Sequence, residues 1–537
     1  MNRLLVFALA LAGCVALAAG CGGGATDDGK KVLRVGNRSE VQDLDPHLCT
    51  GVAEQRALAS IFQGLADLDL ATMKPIPGAA ASWTISEDGL VYTFALQPNG
   101  KWSNGDPVVA GDFLYAYKRM LTPALGSEYA YMLHCLKNAK AYNEGTLTDF
   151  GQVGVKVVDD ATLELTLEAP TPYFLSMQIH YSWFPVPQKA IEAFGEMTTR
   201  GSEWTRPGNH VGNGPFKLKD WRPDEVLAVE RNPNYWNAGS VKLDEVQFYP
   251  ISNEQTEERM FRNGELDLTY TVPMFKIESY RKEHPELLQI HPYLGSYFYR
   301  FNLTRKPFDD VRVRQAFSLA LNREEIAANV CKAGEQPAHF FTPPNTAGYT
   351  SQHQVETNIE KAKALLAEAG YPNGQGLPPV EILYNSSETD KIFAETVQNM
   401  WQGSLGATIT LRNQDYKIYL DSMTGLNYDI ARSMWIGDVV DPVNFLECFL
   451  TGGGNNRTGF ASPEFDAAIR AAYAEPDVAK REAHLQSAEK ILLENAVIAP
   501  VFFYTQKFLQ DPKVKNVVPN LLGQYAWQDI DIVEPAA

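Results

Sequence analysis

Apolar positions along this chain change period repeatedly, from every second residue to every third or fourth and back. Strands and helices are therefore predicted to alternate from end to end. Val32 to Val35 is the first strand, the loop Ser39 to His47 follows, and a helix is predicted over Ala53 to Leu65. Trp83 to Leu96 alternates around Asp88-Gly89, and Val155 to Leu167 around Asp159-Asp160, which reads as two hairpins. Between them Trp102 to Pro107 is a turn, and a helix starts near Ala110 with Phe113, Tyr117 and Met120 at helical spacing. Strands over Gly214 to Trp221 and Val226 to Arg231 end in the turn Asn232 to Asn237. Strand Val246 to Tyr249, helix Glu254 to Asn263 and a short strand Leu266 to Tyr270 come next.

The second half opens with Tyr293 to Asn302, an aromatic-rich strand long enough to pass between domains. Pro307 to Ile326 reads as two helices in series, the first capped by Asp309 or Asp310 and the second by Asn322 with Glu325 three residues on. A helix over Ile359 to Ala369 stops at Gly370. Strand Val380 to Tyr384, a helix from about Asp390 to Leu405 and strand Thr408 to Arg412 form a candidate right-handed crossover. Helices Pro463 to Tyr473 and Val478 to Asn495 precede strand Ala499 to Tyr504. The whole is mixed α/β, without a visible internal repeat.

One stretch concentrates polar chemistry. Tyr428 to Trp435 is a weakly alternating strand, broken by Gly437 and closed off at Pro442, so Arg432, Trp435 and Asp438 lie on or just past a strand end. Ligands of open α/β sheets bind there. Asp438 can take an ammonium and Arg432 a carboxylate, so together they can hold a zwitterion; read in isolation, a surface salt bridge beside a core tryptophan is the better fit.

Composition narrows the class. The 537 residues are 45% hydrophobic and 21% charged, enough for more than one core. A formal net charge of -18 argues against nucleic acid as a partner. Arg3 followed by the apolar run Leu4 to Leu17 and small residues is a signal peptide, too short to span a bilayer. Two sites, ending at Cys14 and Cys21, resemble a lipobox; Cys21 leaves the longer apolar run and is the expected lipidation site, with residues 22–30 as a flexible tether to the membrane. Cys49, Cys135, Cys331 and Cys448 remain, an even number compatible with disulfides but without assignable pairs. No metal-ligand spacing is present, and no cofactor is expected. G-x-S-x-G, H-E-x-x-H, a P-loop and a Cys/His signature are all missing, which disfavours a secreted hydrolase.

Several segments in the same order, Ser39 to His47, Asn232 to Asn237, Asp309 to Phe317, Trp435 to Asp438 and Pro500 to Tyr504, resemble the oligopeptide-binding proteins of bacterial ABC importers, within the peptide/nickel class of solute-binding proteins. The resemblance implies an extracytoplasmic binding protein, not an enzyme, that captures short peptides and delivers them as a monomer to permease subunits. It implies a two-lobed periplasmic-binding-protein-like α/β fold (type II, cluster C) with an additional domain and mixed sheets joined by crossover strands. The strands near Tyr297 and Phe503 match those crossovers. Domain I would comprise 31–62, 188–295 and 506–537, domain II 63–187, and domain III 296–505.

By the same resemblance Asp438 receives the peptide's α-ammonium beside the Tyr129 hydroxyl, and Arg432 pairs with the C-terminal carboxylate. Main-chain groups of Val52, Ser433, Met434 and Ile436 bond the ligand backbone as an added strand. Trp435, Tyr416, Tyr270, Phe298 and Tyr504 are pocket walls. Some positions depart from the pattern: Cys331 and Asp390 stand where relatives have a lysine and a histidine, Thr50 and Arg300 where they have acids, and Gly295 and Ile436 where some carry a cysteine pair. Arg432, with Arg300, is then expected to carry carboxylate recognition, biasing the site toward tripeptides. The same fold also suits dipeptides, nickel chelates, opines or oligosaccharides.

Overall fold

The structure is a computed structural model that describes residues 29–533. The signal peptide, Cys21 and most of the tether therefore lie outside the described residues. Three principal sheets organise the chain. In the first, Val32–Gly36 runs parallel to Glu245–Tyr249, and antiparallel Val226–Arg231 and Phe216–Arg222 complete the order. The second is an antiparallel sheet of Ala80–Ile85, Val91–Leu96, Thr162–Thr166 and Val155–Asp159, in that spatial order. Both expected hairpins are here, though their neighbours differ: Val91–Leu96 pairs with Thr162–Thr166, so the two hairpins merge into one sheet. One continuous core, including Leu33, Phe94, Tyr117, Trp183 and Phe248, joins these two sheets.

The third sheet has six strands in the order Gln336–Pro337, Ile498–Leu509, Leu288–Phe301, Ile430–Ile436, Val380–Asn385, Ile409–Gln414. Val380–Asn385 and Ile409–Gln414 are parallel and joined by helix Glu388–Leu405, the expected crossover unit. Alternation along Leu288–Phe301 splits its aromatic residues between two cores. Tyr297, Tyr299 and Phe301 pack with Phe317 and Trp401, while Phe298 packs with Phe341, Phe445 and Phe449 on the opposite face.

Leu288–Phe301 and Ile498–Leu509 are the crossover strands. They pair antiparallel along most of their length, with a register shift between Pro292 and Ser296. Their far ends belong to the other lobe: Leu509 accepts from Thr269 N–H and donates to the Thr269 hydroxyl. Leu266 to Tyr270 forms isolated bridges to Val35 and Gln510 instead of a strand, because side chains of Asp267 and Thr269 take over hydrogen bonds a ladder would make. The helix begun at Val52 ends at Ile61, short of Leu65. Gly64 there lies so close to the Gln178 carbonyl that a Cβ would meet its oxygen at 1.9 Å. The loop Ser39 to His47 is pinned by a buried fork: Arg119 Nη1 and Nη2 donate to Asp45 Oδ1 and Oδ2 at 2.8 and 2.6 Å. All four cysteines are free, each in its own packing environment. Among the described residues no helix is long and apolar enough to cross a membrane.

Candidate functional site

A cavity of about 2560 Å³ lies between the lobes, larger than the roughly 300–1,000 Å³ of ordinary small-molecule pockets. Of the residues expected at the site, Thr50, Val52, Tyr129, Tyr270, Arg300, Tyr416, Arg432, Ser433, Met434, Trp435, Ile436 and Tyr504 line it. Phe298 does not. Paired with Ser433 across the sheet, it points into the core behind the cavity, wholly buried against Phe341.

Asp438 sits at the margin, just beyond the lining residue Ile436. Gly437 lets the strand end pass under Leu294, whose Cδ2 would lie 2.6 Å from a Cβ, and its N–H donates to the Leu294 carbonyl at 2.8 Å. Asn444 then fixes the turn: its Oδ1 accepts from Asp438 N–H at 2.9 Å and from the Trp435 indole at 3.3 Å. The Asp438 side chain is 16% exposed, and its Oδ2 is buried with no hydrogen-bond partner. Burial, with nearby Glu447 adding to it, pushes the Asp438 carboxyl up to about 7, partly offset by Asn444. Burial likewise raises Glu447 to about 7, against the hydrogen bonds from Tyr473 and Asn444.

Among the described residues no lysine or arginine forms an ion pair with Asp438. His180 Nε2 is 3.9 Å from Asp438 Oδ1, yet burial lowers the imidazole to about 3, so it is neutral at pH 7. Its Nδ1 accepts from Ser182 N–H at 3.3 Å, which assigns the ring proton to Nε2, facing the carboxylate. Tyr129 packs against the same imidazole with ring centroids 4.9 Å apart. Its hydroxyl is held neutral by burial first and by Asp438 second. A carboxylate enclosed by neutral aromatic groups is poised for a positive ligand group.

At the other end of the strand Arg432 already has an acidic partner. Arg432 lines the cavity, but its Nε is 2.8 Å from Asp390 Oδ1, and both side chains are about 95% buried, at 5% and 4% exposure. Nη1 reaches Asn385 Oδ1 at 3.2 Å and Nη2 the Tyr504 hydroxyl at 3.5 Å. Asp390 is thus the acidic partner of this arginine. Arg38, which sequence reading passed over, brings the missing charge. It lines the cavity, donates to the Tyr270 hydroxyl at 3.5 Å and lies within electrostatic reach of Arg432 and Asp390. Glu254 lies within electrostatic reach of Arg38 and Asp390 as well, its carboxyl raised by burial, and Lys507, paired with Glu335, stands nearby. His180 is flanked by no motif and Arg38 stands just before the Ser39 to His47 segment, and only the fold brings the two to the site.

The profile of bacterial extracellular solute-binding proteins, family 5, matches residues 74–457. The chain belongs to that family. Among family 5 relatives, the periplasmic oligopeptide-binding protein OppA of Escherichia coli K12 is 38% identical over 520 residues, covering 95% of this chain and 94% of that one. The structure of the E. coli murein tripeptide-binding protein MppA superposes with a TM-score of 0.88 at 34% identity, over 94% of this chain and 99% of that one. An unliganded open form of MppA, also 34% identical with 94% and 98% coverage, gives only 0.70. The lobes here are therefore arranged unlike that open form. The mixed α/β, two-lobed fold of the family is the fold of this chain.

Proposed function

We propose that this chain captures short peptides, di- to pentapeptides, in the interlobe cavity and hands them to the permease of an ABC importer. The reading rests on one observation above all, the enclosed carboxylate of Asp438, whose Oδ2 has no hydrogen-bond partner and whose Oδ1 lies 3.9 Å from a neutral His180. A peptide α-ammonium supplies the absent counter-charge, and a buried carboxylate left without one is costly. The terminal carboxylate goes to the Arg38–Arg432–Asp390 cluster, where the Arg38 guanidinium donates to the Tyr270 hydroxyl and forms no ion pair among the described residues. Main-chain groups of Val52, Ser433, Met434 and Ile436 grip the ligand backbone, while Trp435, Tyr416, Tyr270 and Tyr504 wall its side chains. A bare sugar would leave both charged ends unanswered. The similarity to OppA and MppA supports the peptide reading.

The remainder of the proposal concerns organisation. Domain I comprises 31–62, 188–295 and 506–537, domain II 63–187 and domain III 296–505; the three separate sheets support this division. The mature monomer is lipid-anchored through Cys21 at the cell envelope, and it binds without turning its ligand over. Calorimetry with free-amino and N-acetylated trialanine tests the capture mode: the free peptide binds and the acetylated one does not. Equal affinity for both would remove Asp438 from the ammonium site. Mass spectrometry of the same mixtures checks that the peptides emerge uncut.

A further inference from the structure

A second concentration of charge lies on the other face of the sheet whose strand Ile430–Ile436 leads to Asp438. Arg300 shares a sheet face with Phe298, opposite Tyr297 and Tyr299. Only 4% exposed, it lies over the rings of Phe298 and Phe449, with its guanidinium carbon 5.3 and 5.7 Å from their centroids. Its Nε donates to Ser433 Oγ at 2.9 Å and its Nη1 to the Asn455 carbonyl at 2.7 Å, while Nη2 has no partner among the described residues. Arg457, two residues beyond Asn455, lines the same part of the cavity, and its Nε is buried and unpartnered.

Buried arginines elsewhere are answered in other ways. Arg119 and Arg432 have the carboxylates of Asp45 and Asp390, Arg56 has Glu257 within electrostatic reach, and Arg314 and Arg323 spend their guanidinium groups on main-chain carbonyls. Neither Arg300 nor Arg457 forms an ion pair among the described residues. Burial lowers the Arg300 pKa; the charged or polar groups acting most strongly on it are Tyr428, Arg457, Cys448 and Tyr419, none of them a carboxylate. Nearby acids are engaged elsewhere: Glu447 with Tyr473 and Asn444, and Asp466 with Thr451 N–H. A buried cation beside a partly buried one, with no anion paired to either, is as incomplete as Asp438 without a cation.

We propose that Arg300 and Arg457 form a subsite for a carboxylate carried on a side chain of the bound peptide. The inference rests on peptide capture, and it limits that capture's indifference to side chains at one position. A carboxylate there accepts from the free Nη2 of Arg300 and from the guanidinium of Arg457, replacing water in a site whose cost of burial the protein has already met. A neutral amide of the same shape makes weaker bonds, and an ammonium is repelled.

Calorimetry of the full chain with alanine tri- and tetrapeptides, each position in turn bearing Glu, Gln or Lys, tests it. At one position Glu binds about tenfold or more tighter than Gln, and Lys more weakly than Gln. In Arg457→Gln, and in Arg300→Gln if that variant folds, the Glu-over-Gln ratio falls to about two or less. Alanine peptides that bind while Glu and Gln are equal at every position overturn the subsite and leave capture standing. Failure of every free-amino peptide to bind overturns both.

Discussion

Asp438 and Glu447, buried side by side and each titrating near 7, couple capture to pH. An ammonium beside Asp438 favours its ionised form, so binding expels a proton at pH 6. Below pH 7 the affinity is expected to fall about tenfold per pH unit. Above about pH 8 it falls again as the peptide amine, with a pKa of about 7.7–8.0, loses its proton. Dissociation constants from pH 5 to 9, with proton release read in buffers of different ionisation enthalpy, check this bell shape. Folding stability without ligand has the opposite slope. The folded carboxyl titrates above its unfolded value of 3.8, so stability is full below pH 4 and is lost as pH rises toward 7, by up to about 4 kcal/mol from Asp438. Asp438→Asn abolishes the acid-side loss of affinity and weakens peptide binding at pH 7.5 by about 3–5 kcal/mol; near-normal calorimetry would exclude the assignment. Spacing in the sequence was enough to single out Asp438, whereas the Arg432–Asp390 pair was not legible. It joins a strand to a helix 42 positions earlier, and no local pattern reports so distant a partner.

At the level of elements, periodicity was informative wherever one face of a strand or helix is buried. Asp310 and Asn322 cap their helices as their spacing implies, accepting from Arg312 and Glu325 N–H. Tyr416–Thr424 escaped notice because two of its apolar residues, Tyr416 and Ile418, are half exposed at 50% and 55%, which blurs the helical stripe. Tyr416 faces the cavity, so the blur marks the site itself. Leu266 to Tyr270 misled for the reverse reason: it alternates like a strand, but its polar side chains do the bonding. Gly295 and Ile436 prove to be direct cross-strand partners. Opposed residues in antiparallel strands have Cα atoms about 4.5–5.5 Å apart, within disulfide range. The variant carrying Gly295→Cys and Ile436→Cys is therefore expected to form the bond on oxidation, seen as loss of two titratable thiols; persistent free thiols in the folded variant would contradict this register.

For the molecule as a whole, the contacts across the cleft rim are weak ones. Gln255 Nε2 donates to Glu388 Oε2 at 3.0 Å and the Thr389 hydroxyl to Glu254 at 3.3 Å, the first of them solvent-exposed. Exposed contacts of this kind contribute about 0–1 kcal/mol, so they do not hold the lobes shut by themselves. Small-angle scattering should accordingly show a smaller radius of gyration with trialanine than without. Ligand at about 100-fold its Kd should raise unfolding stability by about 2.7 kcal/mol in a denaturant titration. Glu388→Ala should change peptide affinity by less than about 0.5 kcal/mol; a larger loss would make the rim, not the buried charges, the source of closure.

Residues 302–497 are joined covalently to the remainder of the described chain by Leu288–Phe301 and Ile498–Leu509 alone, while Leu68, Leu70 and Leu522 share an apolar cluster with Phe341 and Phe445. On the proposed function, two ribbons lying side by side would bend as one hinge as that cluster parts, so occupancy would be converted into a single coordinate, the separation of two outer faces. A membrane complex docking across those faces has no need to inspect the cargo. It can distinguish full from empty by a caliper measurement, and one docking surface then serves every peptide the cleft accepts.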